Sequence, residues 1–387
     1  LTKLKSNWPE LRLHLIKAVD QDYGVYEGST FKQSKFEHWV SAQAIPWPRT
    51  DLGKLRLDEA TFRQMSKSHT QVAALHELRI TLAQMRTLKL HVGTDGRNRT
   101  LLSPFASKTG RNQPSTTKFI FGNSAWLRSL IKPQKGFGLA YVDFSSQEIA
   151  IAAALSGDPK MWQAYNSGDP YMAFAIQAGL APEGATKSSH KAIRNRCKQI
   201  MLGVGYGMGA EALALAAGIH RVEANGLLNN HRMTYRIFWK WAEANQMRAL
   251  MGEPLATPLG WKLQLRNDPD PNDRSLLNWP MQSTGADIMR LAACMLTEAD
   301  IEVCCPVHDA FLIRFSLVDE ADTIAQTIRL MVDASAIVMG DGYACRVDAD
   351  IVRYPDRYMD ERGEKMFSTI TRLLDTLEAT ERPVLAD

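Results

Sequence analysis

Apolar residues over 71–90 recur every three or four positions, at Leu75, Leu78, Leu82 and Met85, with Arg79, Arg86 and Lys89 off that stripe. That period predicts an amphipathic helix packed through one face. A different rhythm governs 138–144, GLAYVDF, whose nearly continuous apolar run predicts a short buried strand. It leads into QEIAIAAALSG, which reads as a helix closed by Gly157. The pattern predicts a long helical region over 188–216, broken at GVGYGMG, then aromatic-rich helix over 221–251 and another helix over 283–299. Residues 301–315 read as strand, tight turn and strand. A helix over 319–339, a strand over 345–353 and a final helix follow. Helices and strands mix without regular βα alternation, which predicts the α+β class rather than a doubly wound sheet. The Pro-rich stretch IPWPRTDLG predicts a connector.

Composition narrows this picture. At 387 residues, 45% hydrophobic and 23% charged, the chain suits a globular protein of two or three subdomains. No apolar run approaches the roughly 20 residues that cross a bilayer, so a membrane is not an expected partner. The start, LTKLKSNWPELRLHL, lacks the layout of a signal peptide. It also lacks Met, as expected of one segment of a longer chain. Five irregularly spaced cysteines (Cys197, Cys294, Cys304, Cys305, Cys345) favour buried thiols in a reducing compartment over a disulfide framework or a zinc site. The net charge of +4 is mild. Its distribution says more: Arg97, Arg99, Lys108, Arg111, Lys118, Arg128, Lys132 and Lys135 stand against Asp95 alone between 95 and 135. Such a stretch suits a phosphate backbone, and equally a solvated basic loop.

Candidate chemistry lies in three places. VCCPVHDAFLI (303–313) sets His308 and Asp309 inside an apolar hairpin, and a buried charge is normally paired or metal-bound. Asp143 ends the strand at 138–144. Two strand-end carboxylates in one sheet suit divalent ions and phosphoryl transfer, although a strand-end Asp also serves as a helix cap or turn residue. Along RNRCKQIMLGVGYG, Arg194, Lys198, Leu202 and Tyr206 are four apart, giving a helix face with cations first and apolar groups after. That face suits a nucleoside triphosphate, or an ordinary amphipathic helix with a basic end. In RSLLNWPMQSTGAD, Asn278 and Gln282 are four apart around Pro280, and amides of this kind either read minor-groove acceptors or cap a helix.

In order, these segments resemble the family A, or DNA polymerase I-like, DNA polymerases. DFSSQE (143–148) is similar to the family's first palm motif, usually DYSQIE. RNRCKQIMLGVGYG resembles its fingers helix, and VHDAFLI its second palm motif, usually VHDE. TGRNQPS (109–115) resembles TGRLSS, and NWPMQSTGADI resembles NAPMQGTAADI. The likeness is close over about 105–315 and weak over 1–90.

The resemblance implies a right-hand polymerase fold with an antiparallel palm sheet, helical fingers and a reduced helical thumb. Its expected divisions are 1–92 as an N-terminal region with a reduced thumb-like helix, 93–157 as the first palm part, 158–277 as fingers and 278–387 as the second palm part. It implies template-directed addition of dNMP from dNTP to a primer 3′-OH, with pyrophosphate released. Asp143 and Asp309, with the backbone carbonyl of Phe144, would hold two Mg²⁺ ions, Mn²⁺ serving as a substitute. Arg194 and Lys198 would hold the triphosphate, Lys198 also acting as general acid. Leu202 and Tyr206 would flank the base. Tyr171 stands where a phosphate-binding His is usual, and Glu148 would exclude a ribose 2′-OH. Arg111, Arg274, Asn278, Gln282 and His308 would contact primer–template DNA.

Departures from the family pattern bear on these roles. Ala310 replaces the usual Glu after the motif Asp, and Leu202 replaces the usual aromatic. Asn112 and Gln113 alter the TGRLSS segment. With no recognisable exonuclease pattern in 1–90, proofreading is expected to be absent from this chain. A separate N-terminal domain, exonuclease or processivity factor fits as a partner. The minimal organisation suggests a cytoplasmic protein in a bacterial, phage or plasmid setting. Two alternatives remain: an RNA polymerase, primase-like or reverse-transcribing enzyme, which Glu148 disfavours, and a catalytically silent nucleic-acid-binding module.

Overall fold

The computed structural model describes residues 1–205, 207–265, 273–340 and 342–381, which fall into two compact units. The first comprises Leu1–Leu102, Pro114–Lys132 and the segment from Pro355 onward. It carries helices α1 (Trp8–Asp20), α2 (Gln33–Ala42), α3 (Glu59–Ser68) and α4 (Ala73–Thr87), and a last helix over Glu361–Glu381. Asp58 caps α3 by accepting from the Thr61 amide at 2.9 Å, satisfying one otherwise orphaned N–H. Leu75, Leu78 and Met85 of the expected stripe are buried, with Leu11, Leu15, Phe36, Phe62 and Trp126.

Three features of this unit differ from the sequence reading. Arg79, expected off the apolar stripe, lies over the Phe31 and Phe62 rings at 4.4 Å each. A guanidinium stacks on aromatic faces while its stem fills apolar space, which periodicity does not register. The expected divisions place 355–387 in the second palm part, whereas Met366, Ile370 and Leu377 are buried in the core of the first unit. The 1–92 region also carries more helix than the single stripe at 71–90 indicates.

The second unit comprises Ser103–Gln113 and Pro133–Tyr354. Its sheet contains β1 (Phe137–Phe144), β2 (Glu302–Val307), β3 (Ala310–Ser316) and β4 (Val347–Arg353), in the order β2-β3-β1-β4 with all neighbours antiparallel. The central strand β1 pairs on both sides, matching its apolar run. Ala140, Val142 and Phe144 are buried in the same cluster as Ile288, Ala292, Met331 and Val338. The intervening residues therefore point to the opposite face of the sheet. Gly138 lies directly across from Phe315, whose ring occupies the space a Cβ would take.

Helices α5 (Gln147–Ser156), α6 (Pro159–Asn166), α7 (Pro170–Gln177), α8 (Lys191–Gly205), α9 (Ala210–Ala217), α10 (Arg221–Thr234) and α11 (Arg236–Leu250) follow β1. Helix α12 (Asp273–Glu298) precedes β2, and α13 (Glu320–Met339) follows β3. The helix expected from 283 begins ten residues earlier, with Pro280 in its interior. Proline removes one helical hydrogen bond, but burial of Leu276, Trp279 and Met281 on either side holds the helix together. The expected helix over 221–251 is divided at Tyr235, whose φ of −110° and ψ of 56° are not helical.

Candidate active site

The antiparallel register brings the two predicted carboxylates to the same end of the sheet. Asp143, next to last in β1, pairs across with Ala310, and the Phe144 amide donates to the Asp309 carbonyl at 3.1 Å. His308 and Asp309 form the two-residue turn between β2 and β3, with His308 exposed and left-handed at φ 55°. The Phe144 ring is buried, so only its backbone carbonyl is a candidate ligand.

Two further carboxylates appear that motif reasoning missed. Asp348 of β4 lies directly across from Asp143, and Asp350 across from Tyr141. Cross-strand partners share a face, so Asp143, Asp348 and Asp350 point the same way. Burial, then the charges of Asp309, Asp348 and Asp350, push the Asp143 carboxyl up to about 6. Alternation in VDAD, within a segment already read as a strand, was the signal for them. Asp348 accepts a hydrogen bond from the Ser145 hydroxyl.

This donor set fits a hard divalent cation. The donors are carboxylate oxygens whose mutual repulsion a cation would relieve. Among the described residues, no three His, Cys, Asp or Glu side chains converge as a closed cage. Ala310 is fully buried and adds no oxygen from its side chain.

Beside β1, α5 starts from Ser146, held left-handed at φ 52°. Glu148 on its first turn accepts from the Gln282 amide of α12, which joins a predicted sugar-sensing residue to a predicted DNA-reading one. The predicted phosphate residues also converge. Arg194 Nε donates to Asp169 Oδ2 at 2.5 Å, while Asp169 caps α7 by accepting from the Met172 amide at 3.2 Å. The Tyr171 ring lies 5.3 Å from the Arg194 guanidinium and 5.7 Å from Lys198 Nζ. Burial raises the Tyr171 hydroxyl above its usual range, opposed by a hydrogen bond with Ser146. Lys198 is exposed, and Leu202 is 37% exposed. Tyr206 and the Arg274 side chain lie outside the described residues.

Arg111 sits on the Ser103–Gln113 segment, which is tied to α12. Trp261 and Trp279 both donate indole N–H groups to the Lys108 carbonyl, at 3.2 and 3.0 Å. Arg290 donates to the Gly110 carbonyl at 2.6 Å and to buried Asp287 at 2.7 Å. The Asn278 side-chain oxygen is buried and has no hydrogen-bond partner among the described residues. The basic stretch at 95–135 is only partly available for phosphate. Arg99 pairs with Asp95 at 2.5 Å and Arg128 with Asp360 at 2.7 Å.

Comparison with known proteins identifies the family. The sequence matches the family described as DNA polymerase family A over residues 49–344. DNA polymerase I of Synechocystis sp. is 27% identical over 299 residues, covering 66% of this chain and 29% of that protein. The DNA polymerase of Mycobacterium phage D29 is 26% identical over 279 residues, covering 67% of this chain and 44% of the relative. The chain thus spans less than half the length of these curated relatives. Among solved structures, the POL domain of Pol1 from M. smegmatis, in complex with DNA primer-template and dNTP, superposes with a TM-score of 0.70 at 19% identity. That alignment covers 91% of this chain and 65% of the other, and at this identity it speaks for the fold. On the family match, which takes in most of its length, the chain belongs to DNA polymerase family A.

Proposed function

We propose that this chain is a template-directed DNA polymerase that extends a primer 3′-OH with dNTPs. The observation that carries the proposal is the placement of Asp143 and Asp309 at adjoining strand ends, in the same unit as the Arg194, Lys198 and Tyr171 cluster. The primer 3′-oxygen would form a new P–O bond to the α-phosphorus while the bond from that phosphorus to the bridging oxygen breaks, and pyrophosphate leaves. Two divalent ions, Mg²⁺ or Mn²⁺, would lower the 3′-OH pKa and neutralise charge on the phosphates. Asp143, Asp309 and the Phe144 carbonyl would hold them. Arg194 would exchange Asp169 for the triphosphate, and Lys198 would protonate the leaving pyrophosphate. Glu148, fixed by Gln282, would stand against a ribose 2′-OH. Leu202 and Tyr206 would border the nascent base pair. Arg111, Arg274, Asn278, Gln282 and His308 would line the primer–template.

In this reading, 93–157 and 278–354 supply the palm, and 158–277 the fingers. Synthesis without proofreading is assigned to these residues. Buried Ala310 favours a second reading, a silent module that binds primer–template. Primer extension with Mg²⁺ and dNTPs or rNTPs, alongside Asp143→Ala, separates them. Extension with dNTPs that is lost in Asp143→Ala supports the polymerase. Binding without extension supports the silent module, and extension with rNTPs alone rejects the DNA-synthesis reading.

A further inference from the structure

Gln147 opens α5, next to the metal-site strand. Its side chain is 1% exposed, and neither its amide oxygen nor its amide nitrogen has a hydrogen-bond partner among the described residues. A buried amide left in this way costs about 1–3 kcal/mol. The palm motif DYSQIE has Ile at the matching position, where no polar group needs a partner. The facing helix departs at a matching place as well: NAPMQGTAADI has Ala where α12 has Gly285. A Cβ on Gly285 would lie 2.8 Å from the Gln147 amide oxygen and 3.4 Å from a terminal nitrogen of Arg111. Both atoms therefore border the space that Gly285 leaves open. One is an unsatisfied acceptor, and the other belongs to a group with five donors and no acceptor. The hydroxyls of Ser283 and Thr284, on the same stretch of α12, are also buried without partners among the described residues.

We propose that Gln147 is a positioning residue for Arg111. When primer–template binds, the Gln147 amide oxygen accepts from the Arg111 guanidinium and aims it at the minor-groove acceptor of the primer-terminal base. The glycine at 285 leaves room for this contact. The proposal rests on the reading that the site binds primer–template with Arg111 at the minor groove. It adds a residue that replaces an apolar one and whose buried polarity the packing alone does not explain.

The test is equilibrium binding of a fluorophore-labelled primer–template whose primer ends in guanine or in 3-deazaguanine, which has C–H in place of the minor-groove N3 acceptor. Binding needs no turnover, so the result is independent of whether the chain extends a primer. Wild type should bind the 3-deaza duplex about tenfold more weakly, the scale of one lost hydrogen bond to a charged group. Arg111→Ala should show no such difference. Gln147→Leu should shrink it at least threefold without lowering Tm, and Gly285→Ala, which fills the gap, should do the same. An undiminished difference in both the Gln147 and Gly285 variants, with the difference lost in Arg111→Ala, overturns the proposal while leaving Arg111 at the groove. No difference in wild type overturns the Arg111 assignment and this proposal together.

Discussion

Glu148 shows how much a single residue's neighbours matter. Its carboxylate accepts from Gln282, so it is held in place at the start of α5. A fixed carboxylate close to a sugar excludes a hydroxyl by bulk and charge. Glu148→Ala is therefore expected to raise relative ribonucleotide use by at least tenfold, measured as the ratio of kcat/KM for dNTP and rNTP. An unchanged ratio removes Glu148 from sugar discrimination. Arg194 gives a second case. Its side chain is 15% exposed and engaged with Asp169, so a triphosphate bound there as proposed would have to displace that carboxylate. Asp169→Asn should weaken this competition and lower the KM for dNTP severalfold, provided the Asn still caps α7. A raised KM, at unchanged Tm, would instead make Asp169 a positioner of Arg194.

At the scale of elements, Gly138 and Phe315 join β1 to β3. Gly138→Ala puts a methyl group into the Phe315 ring and should cost about 1–3 kcal/mol, seen as a lower midpoint in urea unfolding. Phe315→Leu in the same chain should recover part of that loss, and full additivity of the two changes would refute the contact. Helix α10 contributes a pH-dependent element. His231 is 2% exposed among Phe174, Tyr235, Phe238 and Trp239, and its Nδ1 accepts from the Trp239 indole at 3.0 Å. Burial, reinforced by the Arg232 charge, pushes its pKa down to about 3. The depressed value means that the unfolded chain takes up a proton the folded chain refuses. This stabilising contribution is intact above about pH 6.5 and declines as pH falls towards 3, by about 1.4 kcal/mol per unit. His231→Phe should flatten the stability-versus-pH curve between pH 6.5 and 4.5, measured by urea unfolding. An unchanged slope would place the acid sensitivity elsewhere.

For the molecule as a whole, charge is nearly balanced, with 46 Lys and Arg against 42 Asp and Glu. Part of the basic stretch at 95–135 is committed internally, Arg99 to Asp95 and Arg128 to Asp360. Lys108 and Lys118 are exposed. The salt dependence of primer–template binding should therefore come from residues of the second kind. Lys108→Ala is expected to reduce the slope of log K against log salt by about 0.9, whereas Arg99→Ala leaves it unchanged. Equal effects of the two would mean that the Asp95 pair opens on DNA.

Local pattern along the chain was enough for the α+β class, the strands at 138–144 and 345–353, the hairpin at 301–315 and, through five ordered motifs, the family. These rest on local periodicity and on residue types whose chemistry is carried within a short segment. It also singled out Asp143, Asp309, Arg194, Lys198 and Glu148 as candidates. Tertiary structure alone decided what faces them. Asp348 and Asp350 come from a strand some 200 residues beyond Asp143 and reach it only through antiparallel register. The continuation of α12 through Pro280, the Arg79 stack, the burial of the last helix in the first unit and the gap at Gly285 are likewise packing outcomes. Each depends on contacts between segments distant in sequence. There, local propensity is a weak guide, because burying apolar surface stabilises the fold by more than any single residue's backbone preference opposes it.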